Sequence, residues 1–169
     1  GGEDKQATRE IIRDHVEHLR KNRNLHYCGL TGVNFIDYAL FAKTYGLVSE
    51  QSLIAESDKL SGYIMHSLIK NWDAIKGGEI LRRLKLYLGT IEDALTKPRY
   101  RSMKFDVINF DWVGGWAKGK QQALRNLFTE DHLADEALLF ITLNNSPLER
   151  KRASNSSRGY KLDYKDGET

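Results

Sequence analysis

The sequence predicts an open, doubly wound α/β fold, in which a mostly parallel sheet is covered by helices on both faces. Three observations support this fold class. The hydrophobic period alternates along the chain between helix-like and strand-like spacing. The strand-like segments are short, continuous apolar runs, as expected for strands that are buried on both faces. The strand–helix alternation occurs five times, which favours right-handed crossovers and, most simply, the strand order 3-2-1-4-5.

Length and composition limit the class of protein. The chain has 169 residues, of which 40% are hydrophobic, and this is enough for one domain with a sizeable core. No apolar run approaches the ~20 residues of a membrane-spanning helix, and the amino end lacks the pattern of a signal peptide. We therefore expect a cytoplasmic protein without a membrane partner. A single domain is expected over residues 1–146, and a polar extension, in which GYKLDY favours an edge strand, over residues 147–169.

The first two elements are an amphipathic helix and a buried strand. Between Ala7 and Leu19, apolar residues recur at helical spacing between charges, which predicts a helix packed by one face. The mostly apolar run NLHYCGL at residues 24–30 predicts the first strand. It contains Cys28, the single cysteine, which we expect to be a small buried hydrophobe. One cysteine excludes an internal disulfide and a multi-cysteine metal cluster.

The middle of the chain predicts three helices and two strands. Capping residues mark the helix starts, with Asn34 before one helix and either Ser57 or Asp58 before the next. Glycines or a proline follow the helix ends. The predicted helices cover residues 34–45, 59–72 and 91–97, and the predicted strands cover residues 52–57 and 84–90.

The last part of the predicted domain is a strand, a helix and a strand. The segment FDVINFDWVGGW at residues 105–116 is an apolar run that reaches one carboxylate, Asp111, and then a glycine pair. Its apolar side chains are expected to enter both faces of the core and to leave Asp111 as the first residue able to reach a crevice. A helix is predicted over residues 118–128 and the fifth strand over residues 136–143.

The expected ligand site lies beyond the carboxyl ends of the strands, where the strand order reverses between strands one and four. Gly29 and Gly32 allow a tight turn after strand one and leave room for a ligand near the backbone amides. Glu56 ends strand two, where a carboxylate can accept hydrogen bonds from a ribose diol. The alternative is that Glu56 caps the following helix.

Strand three ends at the same crevice. Thr90, Glu92 and Asp93 follow it, and backbone amides with a carboxylate there suit an adenine edge. The positive end of a helix dipole explains the acids equally well. No metal site is predicted, because Asp106 and Asp111 are separated by roughly 16 Å of extended chain and cannot share one ion.

Four segments, in this order and spacing, resemble motifs one to four of the class I S-adenosylmethionine-dependent methyltransferases. They are YCGLTGVNFIDYAL, SLIAES, LYLGTIEDAL and FDVINFDWVGG, and the resemblance covers roughly residues 24–146. It implies a Rossmann-like fold and S-adenosylmethionine as cofactor, with the first turn under its methionine part. It also implies that the acid after strand two binds ribose and that the acid after strand three neighbours adenine. The matching residues are Gly29, Thr31 and Gly32 in the first role, Glu56 in the second, and either Glu92 or Asp93 in the third, with Asn34, Phe35 and Thr90 as further cofactor-binding candidates in these segments.

The fourth motif supplies the catalytic candidates. Asp111 matches its acidic start, which in amino methyltransferases continues as Pro-Pro-aromatic and here continues as Trp112-Val113-Gly114. A carboxylate at this place can orient a methyl acceptor or take up its proton. Trp112 can stack on a planar substrate or face the sulfonium. Alternatively, Trp112 and Trp116 only cover the sheet edge.

Other classes of function share some of these features. A dinucleotide-binding or adenine-nucleotide-binding protein would have the first turn and Glu56, and a scaffold protein would keep the sheet without catalysis. A formal charge of +3 permits a nucleic-acid substrate. The basic segment KPRYRSMK precedes strand four, opposite the crevice, whereas NNSPLERKR leaves strand five on the crevice side. Only the second segment is placed to steer phosphates toward the site.

Overall fold

A computed structural model of the chain describes residues 2–20 and 23–144. Its five strands form one parallel sheet in the order β3-β2-β1-β4-β5, which confirms the predicted fold class and strand order. The predicted polar extension and its edge strand lie outside the described residues. The strands are β1 (Tyr27–Gly29), β2 (Leu53–Glu56), β3 (Lys85–Leu88), β4 (Phe105–Val113) and β5 (Leu133–Asn144). The described helices are α1 (Gly2–Arg20), α2 (Ile36–Tyr45), α3 (Lys59–Lys70), α4 (Ile91–Ala94) and α5 (Lys118–Thr129).

The core has two layers, one on each face of the sheet. Apolar residues of α1, α2 and α3, such as Val16, Phe41 and Met65, pack on one face. Residues of α4 and α5, such as Ile91 and Leu127, pack on the other. Both faces of the sheet are therefore covered, which is why its strands are apolar runs and not alternating sequences.

Cys28 lies in the middle of β1 and is fully buried, as predicted. Burial raises the pKa of its thiol, because the low-dielectric core disfavours the thiolate. The neighbouring Tyr27 is also fully buried, and burial raises the pKa of its phenol. Neither group is ionised near neutral pH.

Two helix starts differ in how they are capped. Asp58 caps α3 by accepting a hydrogen bond from Ser61 N at 2.9 Å, so one of the two predicted caps is confirmed. Asn34 does not cap α2. Phe35 occupies the cap position with a left-handed φ of 52°. The hydroxyl of Thr31 instead accepts a hydrogen bond from Tyr38 N at 3.3 Å, so the helix start is held by the preceding turn.

Strand β4 contains a bulge near its amino end. The backbone N–H groups of Asp106 and Val107 both donate to the carbonyl of His26, at 2.9 and 3.1 Å. The buried Asp106 side chain binds Arg23 at 3.0 Å and accepts from His26 N at 2.8 Å. Asp106 is therefore a structural residue at the end of the sheet opposite the crevice, as its position in the sequence predicted.

Strands β4 and β5 are much longer than the other three. They have nine and twelve residues, whereas β1 has three. Gly29, the last residue of β1, is in register with Asn109, so β4 continues for several residues beyond β1. No helix within residues 2–20 and 23–144 has both the length and the apolar character that crossing a membrane requires.

Candidate ligand-binding crevice

A crevice of about 680 Å³ opens at the carboxyl ends of β1 to β4, at the point where the strand order reverses. Its walls come from these strand ends and from the starts of α2, α4 and α5, while α1 contributes Arg9. Most of the residues predicted from the sequence meet here. The predicted residues that line the crevice are Thr31, Gly32, Glu56, Thr90, Glu92, Asp111 and Trp112.

The first turn is open toward the crevice. Gly32 has a φ of 68°, and a Cβ placed on it would meet no atom within 4 Å. A glycine is therefore favoured here by its backbone conformation, and the space beside it is available to a ligand. The hydroxyl of the neighbouring Thr31 accepts the hydrogen bond from Tyr38 N near the start of α2.

Three residues of the first segment do not line the crevice. Gly29 is in the closest-packed part of the sheet, where a Cβ would lie 2.5 Å from the carbonyl oxygen of Asn109 and 2.7 Å from the Tyr27 hydroxyl. It is a glycine because two strands approach closely there. Phe35 is only 3% exposed and packs in the core under α2, and Asn34 is exposed outside the crevice.

Glu56 lines the crevice, and one of its carboxylate oxygens accepts a hydrogen bond from the backbone just before α3. Its Oε1 accepts a hydrogen bond from Asp58 N at 2.8 Å, whereas the residue that caps α3 is Asp58 itself and not Glu56. Within the described part of the chain, Oε2 has no hydrogen-bond partner. A carboxylate offers several acceptor positions, so the local hydrogen bond orients the group and leaves Oε2 for a ligand.

The two acidic candidates that follow β3 lie in different surroundings. Thr90 caps α4 by accepting from Asp93 N at 3.4 Å, and Glu92 lines the crevice. Asp93 lies outside it, where it accepts a hydrogen bond from the Tyr87 hydroxyl and pairs with Lys97 at 3.2 Å. The Tyr87 hydrogen bond and Lys97 hold the pKa of Asp93 below its usual value. Of the two acids, only Glu92 is therefore placed at the crevice.

Asp111 is the first exposed side chain of β4. All residues from Phe105 to Phe110 are buried, and Asp111 follows them at the crevice, as predicted. The same residue adds to the negative field that raises the pKa of the buried Tyr27. Its carboxylate lies on the most rigid kind of support that a sheet offers, an interior strand.

Trp112 is largely a packing residue. It is 8% exposed, and its ring centroid lies 4.9 Å from that of Phe110 and 6.4 Å from that of Trp116. The ammonium of Lys120 lies 5.9 Å from the ring centroid. A cation–π partner is thus already supplied by the protein, and the geometry favours the predicted alternative in which the two tryptophans cover the sheet.

Lys120 holds the loop after β4. Its Nζ donates to the carbonyl oxygens of Val113, Gly114 and Gly115 at 2.7, 3.1 and 2.6 Å. These charge-assisted bonds satisfy the ammonium group and tie the glycine turn to α5. The residue also lines the crevice. The sequence offers no signal for this role, because the acceptors are backbone atoms and any residue type supplies them.

An ion pair on the rim of the crevice was also not anticipated from the sequence. Arg9 of α1 and Asp37 of α2 both line the crevice, and their side chains form an ion pair at 3.3 Å. Arg9 belongs to the charged face of an amphipathic helix, which by itself indicates only a solvated surface. Its partner lies 28 positions away, so no local pattern connects the two.

The charged side chains give the crevice an acidic balance. Its lining contains four carboxylates and two cationic groups. Lys120 directs its charge at backbone carbonyls, which leaves Arg9 as the cation of the rim. Within the described residues, no group of three or more His, Cys, Asp or Glu is arranged to hold a metal ion. The carboxylates of the lining are Asp37, Glu56, Glu92 and Asp111, and the cationic groups are Arg9 and Lys120.

No known family model matches the sequence, and no curated protein matches it. Solved structures give weak likenesses. A mutant of MtNAS, a nicotianamine synthase, in complex with S-adenosylmethionine is 15% identical, with a TM-score of 0.48 over 76% of this chain and 42% of that one. MtNAS with MTA and tNA is 15% identical, with a TM-score of 0.47 over 76% and 41%. M. capricolum TrmK with S-adenosylhomocysteine is 9% identical, with a TM-score of 0.39 over 67% and 44%.

The chain spans about two fifths of the length of the MtNAS structures. At these identities and TM-scores, the likenesses say nothing specific about ligands or chemistry. The functional inference therefore comes from the crevice itself.

Proposed function

We propose that the chain binds S-adenosylmethionine in this crevice and transfers its methyl group to an acceptor held beside Asp111. The observation that carries the proposal is the set of groups that meet between β1 and β4. An open glycine turn follows β1, Glu56 follows β2, Glu92 follows β3, and Asp111 is exposed near the end of β4. These groups correspond in order to the methionine, ribose, adenine and acceptor positions of such a site.

The acidic balance of the lining supports this ligand over a dinucleotide. S-adenosylmethionine carries a sulfonium cation and no phosphate, whereas a dinucleotide brings the negative charges of a pyrophosphate. Four carboxylates against two cations attract the first ligand and repel the second. The only described cation on the rim that is not already turned to backbone carbonyls is Arg9, and it is paired with Asp37.

The residues of the crevice contribute binding and orientation. When bound, S-adenosylmethionine supplies the methyl group, and the electron pair of the broken carbon–sulfur bond stays on sulfur. Glu56 accepts hydrogen bonds from the ribose hydroxyls, and Glu92 neighbours the adenine. Asp111 accepts a hydrogen bond from the acceptor, holds it in line with the methyl group and takes up the proton that the acceptor loses. Trp112 and Lys120 support Asp111 by fixing the strand end.

The acceptor must present an N–H or O–H group to Asp111. A nucleic-acid base does so, and we keep a nucleic acid as the proposed substrate. Phosphates are disfavoured inside an acidic crevice, so the phosphate backbone would stay outside it. The segment that supports this substrate by its charge is NNSPLERKR, which begins at Asn144 and continues outside the described residues.

Calorimetry with S-adenosylmethionine, S-adenosylhomocysteine and NAD tests the proposal. We expect the first two to bind and NAD not to bind. Glu56→Ala should weaken binding by about 1–3 kcal/mol, the scale of a lost hydrogen bond to a charged group. Glu50→Ala is the matched control, because Glu50 is an exposed acid that pairs with Arg83 outside the crevice.

The absence of heat with all three ligands would favour the scaffold alternative. Binding of NAD alone would favour a dinucleotide protein. If Glu56→Ala binds as tightly as the Glu50→Ala control, then Glu56 only binds the backbone before α3 and has no part in the site.

A further inference from the structure

A group of cations beside β3 lies outside the crevice and has no role in the proposed function so far. We call this group the basic strip. Its members are Lys85 of β3 and three residues of the segment between α4 and β4, namely Lys97, Arg99 and Arg101. β3 is the outermost strand at one side of the described sheet. Lys85, Arg99 and Arg101 are exposed there, so a large partner can reach them.

Two aromatic rings hold Arg99 in place. Its guanidinium carbon lies 4.8 Å from the ring centroid of Tyr100 and 5.4 Å from that of Tyr87. The Nζ of Lys97 also lies over the Tyr87 ring, at 5.7 Å from its centroid. The face of an aromatic ring attracts a cation without using its N–H donors. Arg99 is therefore positioned by the rings and keeps its donors for another group.

Most of the positive charge of the basic strip is not neutralised by the protein. Lys97 pairs with Asp93 at 3.2 Å. Among residues 2–20 and 23–144, the side chains of Lys85, Arg99 and Arg101 have no ion pair and no hydrogen-bond acceptor. Lys85 stands on the same face of β3 as Tyr87, because side chains alternate along a strand. Three cations on this surface thus remain for an anionic partner.

The basic strip adjoins the rim of the crevice. Gly89 lines the crevice, and a Cβ placed on it would lie 2.6 Å from the ring of Tyr87. The same ring carries the guanidinium of Arg99 on its face. One aromatic ring therefore separates Arg99 from the residue that forms the rim.

This position differs from the one expected for the segment KPRYRSMK. The segment precedes β4, so the sequence predicted that all of it lies opposite the crevice. The structure agrees for Lys104, whose Nζ pairs with Asp131 at 2.7 Å just before β5. The first half of the segment instead follows the short helix α4 and packs against the end of β3. Its cations are therefore on the crevice side.

We infer that the basic strip binds the phosphate backbone of a single-stranded nucleic acid, one base of which enters the crevice as the methyl acceptor. The inference rests on the proposed function, because it assigns a place to the rest of the proposed substrate. The crevice is acidic and repels phosphates, whereas the strip attracts them beside its rim. A single strand is required, since a paired base cannot reach a crevice.

The kind of contact follows from the two tyrosines. Tyr100 is buried, and the ring of Tyr87 is shared by two cations. The rings are therefore occupied within the protein and do not serve as a stacking platform for bases. Contacts to phosphates carry no sequence information by themselves. The strip is thus expected to bind strands of different sequence equally well.

Fluorescence anisotropy with two labelled RNA dodecamers of unrelated sequence tests the inference. It is measured without cofactor over a range of salt concentrations. The wild-type protein should bind both strands alike. Arg99→Met and Lys85→Met should each weaken binding about fivefold at about 0.1 M salt and lower the slope of log Kd against log salt by about 0.7, as one lost phosphate contact requires. Arg99→Lys keeps the charge and should keep the slope.

Matched controls remove the same charges from the other face of the sheet. Arg13 of α1 and Lys70 of α3 are exposed, and both helices pack on the face opposite α4 and α5. Arg13→Met and Lys70→Met should change the affinity less than about twofold and leave the slope as it is. Partial unfolding of a variant lowers the active fraction and does not change this slope.

The outcomes separate the strip from the proposed function. If Arg99→Met and Lys85→Met behave like the controls, the strip is wrong although the proposed function stands. Binding to phosphatidylserine vesicles but to neither RNA would make the strip a membrane surface and overturn the inference. If both RNAs bind through the strip but calorimetry shows no binding of S-adenosylmethionine, the phosphate contacts stand and the proposed function fails.

Discussion

His132 is a buried polar side chain outside the crevice whose two ring nitrogens both contact backbone carbonyl groups. It is fully buried, and its Nδ1 and Nε2 lie 2.8 and 2.6 Å from the backbone carbonyl oxygens of Met103 and Leu95. A neutral imidazole donates from only one nitrogen, whereas an imidazolium donates from both. The residue thus connects the end of α4, the segment before β4 and the start of β5 through one ring.

His132→Phe is expected to lower the free energy of unfolding by about 1–3 kcal/mol. Phenylalanine keeps a ring near Phe105, whose centroid lies 5.8 Å away, but it removes the ring nitrogens that contact the carbonyl groups of Met103 and Leu95. Urea denaturation measures the change. The exposed His66 of α3 provides the control, and His66→Phe should change stability by less than about 0.5 kcal/mol. Equal effects of the two substitutions would show that the carbonyl contacts of His132 do not stabilise the fold.

The candidate residues that could be predicted from the sequence are those whose positions depend on the strand pattern. Asp111 could be identified because it ends an apolar run, and Glu56 because it ends another. Arg9 and Lys120 could not, because their partners are a distant carboxylate and a set of backbone carbonyls. The sequence left Glu92 and Asp93 as alternatives, since two adjacent acids look alike until the direction of each side chain is known. Of the two, Glu92 lines the crevice.

At the scale of elements, the junction between β4 and α5 depends on one side chain. The turn contains Gly114 with a φ of 80°, and its carbonyls converge on Lys120. A glycine turn of this kind has high conformational freedom when nothing holds it. Lys120 is therefore expected to keep the turn, and with it the exposed end of β4, in a single conformation.

Lys120→Met should increase hydrogen exchange at the backbone amides of residues 113–117 and lower the free energy of unfolding by about 1–2 kcal/mol. Methionine keeps the apolar stem near Trp112 and removes the donors. Lys118→Met is the control, because Lys118 is exposed at the start of the same helix. If exchange at this turn is the same in both variants, the turn is held by something other than Lys120.

Element boundaries were predicted well where apolar runs begin and end, and less well elsewhere. The fifth strand begins at Leu133, three residues before its predicted start. It is an edge strand of the described sheet, so polar residues such as Asp135 and Glu136 can occupy it without burial. The first helix begins at Gly2 and not at Ala7, because its first turns carry too few apolar residues to show a helical period.

At the scale of the whole molecule, β4 has a buried carboxylate near one end and an exposed carboxylate at the crevice near the other. Asp106, near the amino end, is buried with Arg23 and the backbone of His26. Asp111, near the other end, is exposed at the crevice. The two carboxylates belong to the same strand, and about five residues of extended chain, roughly 16 Å, separate them. Substitutions at the two positions should therefore have opposite consequences.

Asp106→Ala should lower the free energy of unfolding by about 1–3 kcal/mol, because it leaves the partly buried backbone N–H of His26 without its acceptor. Its affinity for S-adenosylhomocysteine should stay near that of the wild type. Asp111→Asn is nearly isosteric, so it should leave the melting temperature and the cofactor affinity close to wild type while abolishing methyl transfer. Thermal melts, calorimetry and a transfer assay distinguish the two variants. Unfolding of the Asp111→Asn variant, or undiminished turnover, would make Asp111 a structural residue.

β4 extends beyond the last residue of β1, and this extension places Asp111 further along the strand direction than the end of β1. Gly29 lies level with Asn109, and Asp111 is two residues further along the strand, roughly 7 Å. Because side chains alternate between the faces of a strand, deleting one residue of β4 before Asp111 would bring the indole of Trp112 to its place, and inserting one earlier in β4 would bring the phenyl ring of Phe110 there. The depth at which an acceptor is held can therefore change only in increments of two residues. Related chains that take larger or smaller acceptors should differ in this strand by even numbers of residues.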